Sequence, residues 1–269
     1  MFNKMENDAG FRADYERILQ VFGFDELRDI QGRDKLFEIL PTLSWKKVVT
    51  EIQKRVKDRW VVVGGNGPAG PSELEWILKA GLENVKQNCA FIAADGAARY
   101  FLAKKVVPTA IFSDLDGITP KIMAELDRKD SIFVIHAHGD NIEALTTFTS
   151  EIRQLKWVIG TTQTRPRPPI INPGGFTDGD RILYFLSSLP PVFKILLIGM
   201  DFGATVGQFS KPTLTSDIPA TPVKARKLSI AVELLTKLLP TMLQPVYRLE
   251  GCYPFPTVRK LTRGEFEKT

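Results

Sequence analysis

Two short stretches within residues 109–141 carry the densest set of reactive side chains in this chain of 269 residues. The first is Ser113-Asp114-Leu115-Asp116-Gly117, and the second is His136-Ala137-His138-Gly139-Asp140-Asn141. Each follows a run of apolar and β-branched residues and ends it abruptly in carboxylates or imidazoles. Buried parallel strands read as continuous apolar runs, and open α/β sheets bind ligands beyond the carboxyl ends of their strands. Two neighbouring strands would therefore bring Asp114, Asp116, His136, His138 and Asp140 to one rim. Aspartates on a glycine-softened backbone, with no cysteine beside them, suit a hard divalent cation bound by carboxylates and substrate phosphate oxygens. Left bare, the same carboxylates repel one another. His136 and His138 are two apart and share a strand face. They are the chain's two histidines, so zinc ligation, phosphate contact, substrate hydrogen bonding and a structural role all stay open.

The elements needed to position these groups are readable on either side. Residues 60–64 form an apolar strand that runs into Gly65-Asn66-Gly67-Pro68-Ala69-Gly70-Pro71-Ser72 and then a helix. Strand, glycine-rich turn and helix make the geometry in which backbone N–H groups meet an anion. The turn is neither the dinucleotide fingerprint nor a P-loop, and a plain βα turn is the alternative. Further strands are expected at 90–94, 110–113, 132–135, 157–160 and 193–198. The 90–94 strand ends in Asp95, which either caps the next helix or faces a ligand. Thr119-Pro120 opens a helix with an N-cap and a first-position proline. Residues 165–173, with four prolines and two arginines, read as an extended flap. After it, Gly174-Gly175-Phe176-Thr177-Asp178-Gly179-Asp180-Arg181 starts another helix. The last strand leads into Gly199-Met200-Asp201-Phe202-Gly203, and residues 210–222, rich in Ser, Thr and Pro, read as a second mobile loop. Lys224, Arg226 and Lys227 then open a helix, where cations oppose the macrodipole; a ligand phosphate would account for them, against a solvated basic face as the alternative.

The alternation of strands and helices predicts an α/β fold, a mostly parallel open sheet of about six strands with helices on both faces. Residues 1–55, with Tyr15, Ile18, Leu19 and Phe22 at helical spacing, read as a small N-terminal helical subdomain that packs on the sheet or shapes a pocket mouth. Residues 56–245 form the α/β domain, and 246–269 a C-terminal strand and tail. With 43% hydrophobic and 25% charged residues the composition is that of a globular protein. No run approaches the roughly eighteen apolar residues of a membrane span, and the first residues lack a signal peptide's apolar stretch, so a cytoplasmic location is expected. Cys89 and Cys252 sit in no Cys-x-x-Cys pattern and read as buried thiols. A net charge of +5, from 36 basic and 31 acidic residues, is too modest for a nucleic-acid stripe and suits a small polyanion such as a nucleotide.

Taken in order, Ala94-Asp95-Gly96-Ala97, Ser113-Asp114-Leu115-Asp116-Gly117, His136-Ala137-His138-Gly139-Asp140-Asn141, the segment from Gly174 through Phe176, Thr177, Asp178 and Asp180 to Arg181, and Gly199-Met200-Asp201-Phe202 resemble the archaeal 6-hydroxymethyl-7,8-dihydropterin pyrophosphokinase family, itself similar to the catalytic domain of thiamin pyrophosphokinases. The resemblance spans roughly residues 61–239. It departs in the first glycine loop, where the family's compact Gly-x-Gly-Pro-Ser-Leu is lengthened here, leaving open which glycines meet a ligand. What it implies is diphosphoryl transfer from ATP to the hydroxymethyl group of a reduced pterin, with AMP released and Mg²⁺ required. On that resemblance Asp114 and Asp116 are the principal metal ligands, with Asp140 as a third, and Asp95 and Asp140 lie near the metal or polarise the acceptor hydroxyl. Gly65, Gly67, Ser72, His138, Asn141, Thr177 and Arg181 would meet the nucleotide's phosphates, Asp178 and Asp180 the nucleotide or a second ion, and Lys224 and Lys227 would clamp phosphate. Phe176 or Phe202 would stack on a flat ring or pack in the core.

Three rivals stand beside this reading. Asp-Leu-Asp-Gly after an apolar strand mimics the nucleophile motif of haloacid-dehalogenase-type phosphatases, although that motif belongs on a first strand and two strands precede it here. A non-catalytic nucleotide or pterin binding module fits the same residues. Similar domains also occur in larger proteins linked to flagellin glycosylation, but this chain has no room for an added transferase domain. The acceptor heterocycle, pterin or thiamin-like, and the oligomeric state, a homodimer included, stay open.

Overall fold

The computed structural model describes residues 2–7, 10–79, 85 and 87–267. Its main sheet joins β1 (Trp60–Gly64), β2 (Cys89–Ala94), β3 (Ala110–Ser113), β4 (Ile132–Ala137), β5 (Val158–Thr162), β6 (Ile170–Ile171) and β7 (Lys194–Ile198). β8 (Thr205–Val206) and β9 (Ile218–Pro219) form a separate antiparallel ribbon, while β10 (Val246–Arg248) and β11 (Arg259–Lys260) extend the main sheet. The order is β11-β10-β7-β1-β2-β3-β4-β5-β6, and every pairing in it is parallel. The α/β fold with a parallel sheet is as expected, with the central strands at the expected positions. The sheet has nine strands rather than about six: β10 lies where a C-terminal strand was expected, while β6 and β11 are two residues each, too short for a periodic signal.

The helices follow from the strands' own alternation. On one face Val62, Phe91, Ala93, Ile111, Phe133, Ile135, Leu196 and Ile198 share a core with α3 (Glu26–Ile39), α5 (Gly70–Lys79), α6 (Ala97–Ala103) and α7 (Pro120–Arg128). On the other Val61, Val63, Ile92, Phe112, Val134, Ile159, Ile195 and Leu197 pack on α4 (Trp45–Val56) and α10 (Asp178–Ser187). Because successive side chains point to opposite faces, a strand buried on both must be apolar throughout. The described residues up to 55 are mainly helical, as expected, and their apolar stripes feed both faces of the sheet: Leu36 and Ile39 of α3 join the first core, and Val48, Val49 and Ile52 of α4 join the second. α1 (Phe2–Met5) adds Met5 to that second core. α2 (Arg12–Phe22) packs its Tyr15 and Ile18 on Ile230 and Leu234 of α11 (Pro222–Leu238), in a third cluster that includes Phe176. Two short helices, α8 (Ile142–Thr147) and α9 (Thr149–Gln154), return the chain from β4 to β5.

The strand order reverses between β1 and β7, since β1 continues to β2 on one side while β7 joins it from the other. A crevice opens beyond the carboxyl ends at such a switch point. Its far end is closed by α3. Glycine at position 32 lets that helix touch the backbone of the His138 loop, for a Cβ there would stand 2.8 Å from the His138 carbonyl carbon. Asp29, one turn earlier and buried, ties α3 down by accepting from the Gly139 N–H at 2.7 Å, the Tyr15 hydroxyl at 2.7 Å and the Gln163 amide at 2.8 Å. Gly32→Ala forces backbone against backbone and is expected to lower unfolding free energy by about 1–3 kcal/mol, read as a lower urea midpoint at unchanged slope.

Candidate active site

Asp95, Asp114 and Asp116 are delivered by the ends of β2 and β3. Asp95 has φ +45° and Leu115 φ +77°, left-handed conformations that non-glycine residues adopt at a cost. The distortion turns Asp95 inward, where it is 3% exposed and its Oδ1 accepts from the Ser113 hydroxyl at 2.6 Å. Gly117 has no side chain for a steric reason: a Cβ would overlap Asp95 Oδ2. Among the described residues these three acids can converge on one ion, with one carboxylate oxygen of each lying within 4.8 Å of the others.

The charges around this group are unequally balanced. Burial pushes the Asp95 carboxyl well above its usual range, and the charges of Asp114, Asp178 and Asp116 push the same way. Asp178, at the start of α10, is raised well above normal by burial and by Asp114, against the opposing pull of Arg181. Asp114 goes the other way. Burial pushes it up, but His138, the Asp116 N–H and Lys224 outweigh that and hold it below the ordinary carboxylate value. His138 Nδ1 accepts from the Asp140 N–H at 3.3 Å, which leaves the proton on Nε2, 3.5 Å from Asp114 Oδ2. Lys211, on the loop between β8 and β9, pairs with Asp116 at 3.3 Å. Arg181 is fully buried, donates to the Gly174 and Phe176 carbonyls at 3.3 and 3.4 Å, and feels Asp180, Asp178, Asp114 and Asp29. It is a fixed counter-charge beneath the acids.

One cleft of about 450 Å³ gathers Asp95, Asp114, Asp116, His136, His138, Gln163, Phe24, Phe176, Thr177, Asp178, Lys211, Lys224 and Lys227. A narrower crevice of about 90 Å³ continues from it to the switch point, lined by Gly65, Gly67, Gly199, Asp201 and Phe202. Asn66, Thr177, Asp178 and Lys224 border both.

Several expected site residues have other work here. Asp140 is exposed, lines neither crevice and stands outside the acidic group, because the turn after β4 points it to solvent. The Asn141 amide is consumed as a staple between strand ends: Oδ1 accepts from His138 N–H at 2.9 Å, and Nδ2 donates to Asp114 O at 3.0 Å and His136 O at 2.7 Å. Asp180 is wholly buried and caps α10 by accepting from Phe176 N–H at 2.9 Å and Thr177 N–H at 2.6 Å. Ser72 is exposed in a separate depression and donates to Ala69 O at 2.9 Å. The Gly65 and Gly67 N–H groups do not cradle an anion. They donate to Ile198 O and Gly199 O, each at 2.8 Å, binding the β1 turn to the β7 turn. Phe24, Asn66, Gln163 and Lys211 had no assigned role in the sequence. Gln163 and Asn66 sit within segments already marked by strand ends, whereas nothing local distinguishes Phe24 or Lys211.

Residues 35–207 match the family model described as 6-hydroxymethylpterin diphosphokinase MptE-like. The chain belongs to that family. This MptE-like chain is 36% identical over 230 residues to the 6-hydroxymethyl-7,8-dihydropterin pyrophosphokinase of Methanocaldococcus jannaschii, covering 83% of the chain and 92% of that protein. It is 36% identical to the protein of the same name from Methanothermobacter thermautotrophicus, over 82% of the chain and 90% of the relative, and 37% identical to that of Pyrococcus furiosus, over 82% and 89%. Among solved structures, the Maf glycosyltransferase of Magnetospirillum magneticum AMB-1 matches 82% of the MptE-like chain and 39% of its own, at 13% identity and TM-score 0.44. No helix among the described residues is long and apolar enough to cross a membrane.

The raised carboxyl of Asp95 fixes a sign. A carboxyl with a folded value above its unfolded one favours folding at low pH, and that contribution is lost as pH climbs from about 4, the unfolded value, through the raised value. In chelator, Asp95→Asn is therefore expected to gain stability relative to the parent as pH rises from 4 to 7, measured as the difference in thermal midpoint. Asparagine tolerates the left-handed backbone at this position.

Proposed function

We propose that this chain transfers the diphosphoryl group of ATP to the hydroxymethyl oxygen of 6-hydroxymethyl-7,8-dihydropterin and releases AMP. Its three curated relatives carry that activity in their names over most of both sequences. The observation that carries the reading to this chain's own residues is the convergence of Asp95, Asp114 and Asp116 on one point of a cleft edged with lysines. All donors there are hard oxygens, which fits Mg²⁺. When bound by these carboxylates, Mg²⁺ would neutralise charge on the phosphates and so favour attack on phosphorus.

The residues of the chain do the rest by position and charge, as phosphoryl-type transfer requires. The nucleotide lies across the switch point, with its phosphates over the acidic group. Lys224, which borders both crevices, and Lys211 and Lys227 on the main cleft hold phosphate oxygens. The acceptor oxygen bonds to the β-phosphorus as the bond from that phosphorus to the bridging oxygen of AMP breaks. Its proton passes to a cleft carboxylate. His138 keeps Asp114 ionised and aligned through its Nε2–H. Buried Arg181 keeps the cluster of acids tolerable without occupying the cleft.

Incubation with ATP, Mg²⁺ and the hydroxymethyl dihydropterin is expected to release AMP, followed by chromatography. Asp116→Asn is expected to lower kcat by at least about 10²-fold. Absence of AMP release from the parent would end the proposal. Mg²⁺ at about a hundred times its Kd is expected to stabilise the parent by about 2.7 kcal/mol, and Asp114→Asn to lose that increment; equal stabilisation of both proteins by calorimetry would remove Asp114 from the ion's coordination.

A further inference from the structure

The β4–β5 end of the cleft differs in chemistry from the acidic centre and the switch point. His136, the penultimate residue of β4, stands opposite Thr161 of β5. It is 4% exposed and lines the cleft, yet its Nε2 has no hydrogen-bond partner among the described residues. Its Nδ1 lies 3.2 Å from Thr161 Oγ1, whose own proton goes to Ile135 O at 3.3 Å. The hydroxyl is thus the acceptor and Nδ1 carries the imidazole's proton. Burial, reinforced by the charge of Arg181, holds His136 neutral, with a bare lone pair on Nε2. Beside it Gln163, also 4% exposed and lining the cleft, donates its amide nitrogen to Asp29 Oδ2, which leaves Oε1 as its accepting atom. The floor of this end therefore holds two acceptors, one of them unsatisfied, at the cost such burial carries.

The wall here is aromatic. Phe24 and Phe176 line the cleft, Phe22 stacks on Phe24 with centroids 5.1 Å apart, and Lys227 Nζ lies 5.5 and 5.7 Å from the Phe24 and Phe176 centroids. His138 stands between this end and the acids, its ring 5.5 Å from that of His136 and its Nε2 facing Asp114. A flat ring with adjacent N–H donors on one edge, carrying its reactive group toward the acids, complements these features. The 2-amino and N3–H groups of a 2-amino-4-oxopteridine form such an edge.

Resting on the transfer reading above, we infer that the acceptor ring binds at the β4–β5 end, against Phe24 and Phe176, with His136 Nε2 and Gln163 Oε1 taking hydrogen bonds from its 2-amino and N3–H edge. His136 is then the residue that distinguishes a 2-amino ring from its 2-oxo counterpart. The helical segment before β1 contributes Phe24 directly and Gln163's orientation through Asp29.

The test measures AMP release by the full chain with the hydroxymethyl dihydropterin and with the 2-oxo analogue, hydroxymethyl dihydrolumazine. The parent is expected to favour the amino ring in kcat/KM by about tenfold or more. His136→Phe keeps a flat ring and removes the acceptor. It is expected to bring that preference close to unity and raise the pterin KM about tenfold, with the KM for ATP unchanged and the thermal midpoint equal to or above the parent's. A histidine serving packing alone would instead lower the midpoint and leave the preference intact, and that result overturns the inference. If His136→Phe does not fold, Phe24→Ala, at a partly exposed ring, decides: a raised KM for both acceptors supports the subsite, and an unchanged KM overturns it. If the parent releases no AMP, the transfer reading fails by itself, and equilibrium binding of fluorescent 6-hydroxymethylpterin judges the subsite. Binding weakened by His136→Phe keeps it; absent or unaltered binding removes it.

Discussion

Mutual repulsion among acids is the constraint around which this molecule is arranged. Asp95, Asp114, Asp116 and Asp178 share one pocket, and neighbouring carboxylates in a partly buried site each oppose ionisation of the others. The fold answers with cations and a neutral donor at several depths. Arg181 lies fully buried beneath them, Lys211 reaches Asp116 from the ribbon loop, and the His138 Nε2–H faces Asp114 at the side. Buried charge without a partner is costly, and a guanidinium suits such a site because it stays protonated and offers several donors. The left-handed backbone at Asp95 and Leu115 is a second cost accepted for aim.

The sheet supplies the register that makes this aim reproducible. Parallel pairing sets Ala94 beside Phe112 and Ser113 beside Ile135, so the turns that follow emerge at one level. Side-chain staples then join the turns laterally. Asn141 links the β4 turn to both the β3 end and its own strand, and Asn66 donates to Ala94 O at 3.0 Å to link the β1 turn to β2. Asp29 and Gly32 bring the N-terminal helices into the same frame. The rim behaves as one braced surface.

How much of this was legible in the sequence follows from the range of each interaction. The central strands and the acids at their ends are visible because burial on both faces requires unbroken apolar runs, and polar residues stop them sharply. Thr177-x-x-Asp180 carried the spacing of a capping box, so Asp180 belonged to the helix start rather than to a ligand. Asn141 and Arg181 resemble ligand contacts in type, but their partners are carbonyls brought near only by the folded turns. The glycines at 65 and 67 signal close approach correctly. What they approach is the β7 turn: a Cβ on either would stand 2.5 or 2.7 Å from Gly199 O. Phe24 and Lys211 lie in segments read only as helical and as a loop, with nothing in their own residue types to mark them, and the tertiary arrangement alone shows them on the cleft.

The order of strands has a consequence during synthesis. β1 to β6 are laid down consecutively on one side, while β7, the other neighbour of β1, is made only after the whole of that array. Until then the apolar strand Trp60–Gly64 has an unpaired edge on a nascent chain, a template for adhesion between polysomes that a holding chaperone would be called on to mask. Closure of the Gly65–Gly199 seam removes that edge, while the outer edge of β7 waits for β10, made nearly fifty residues later.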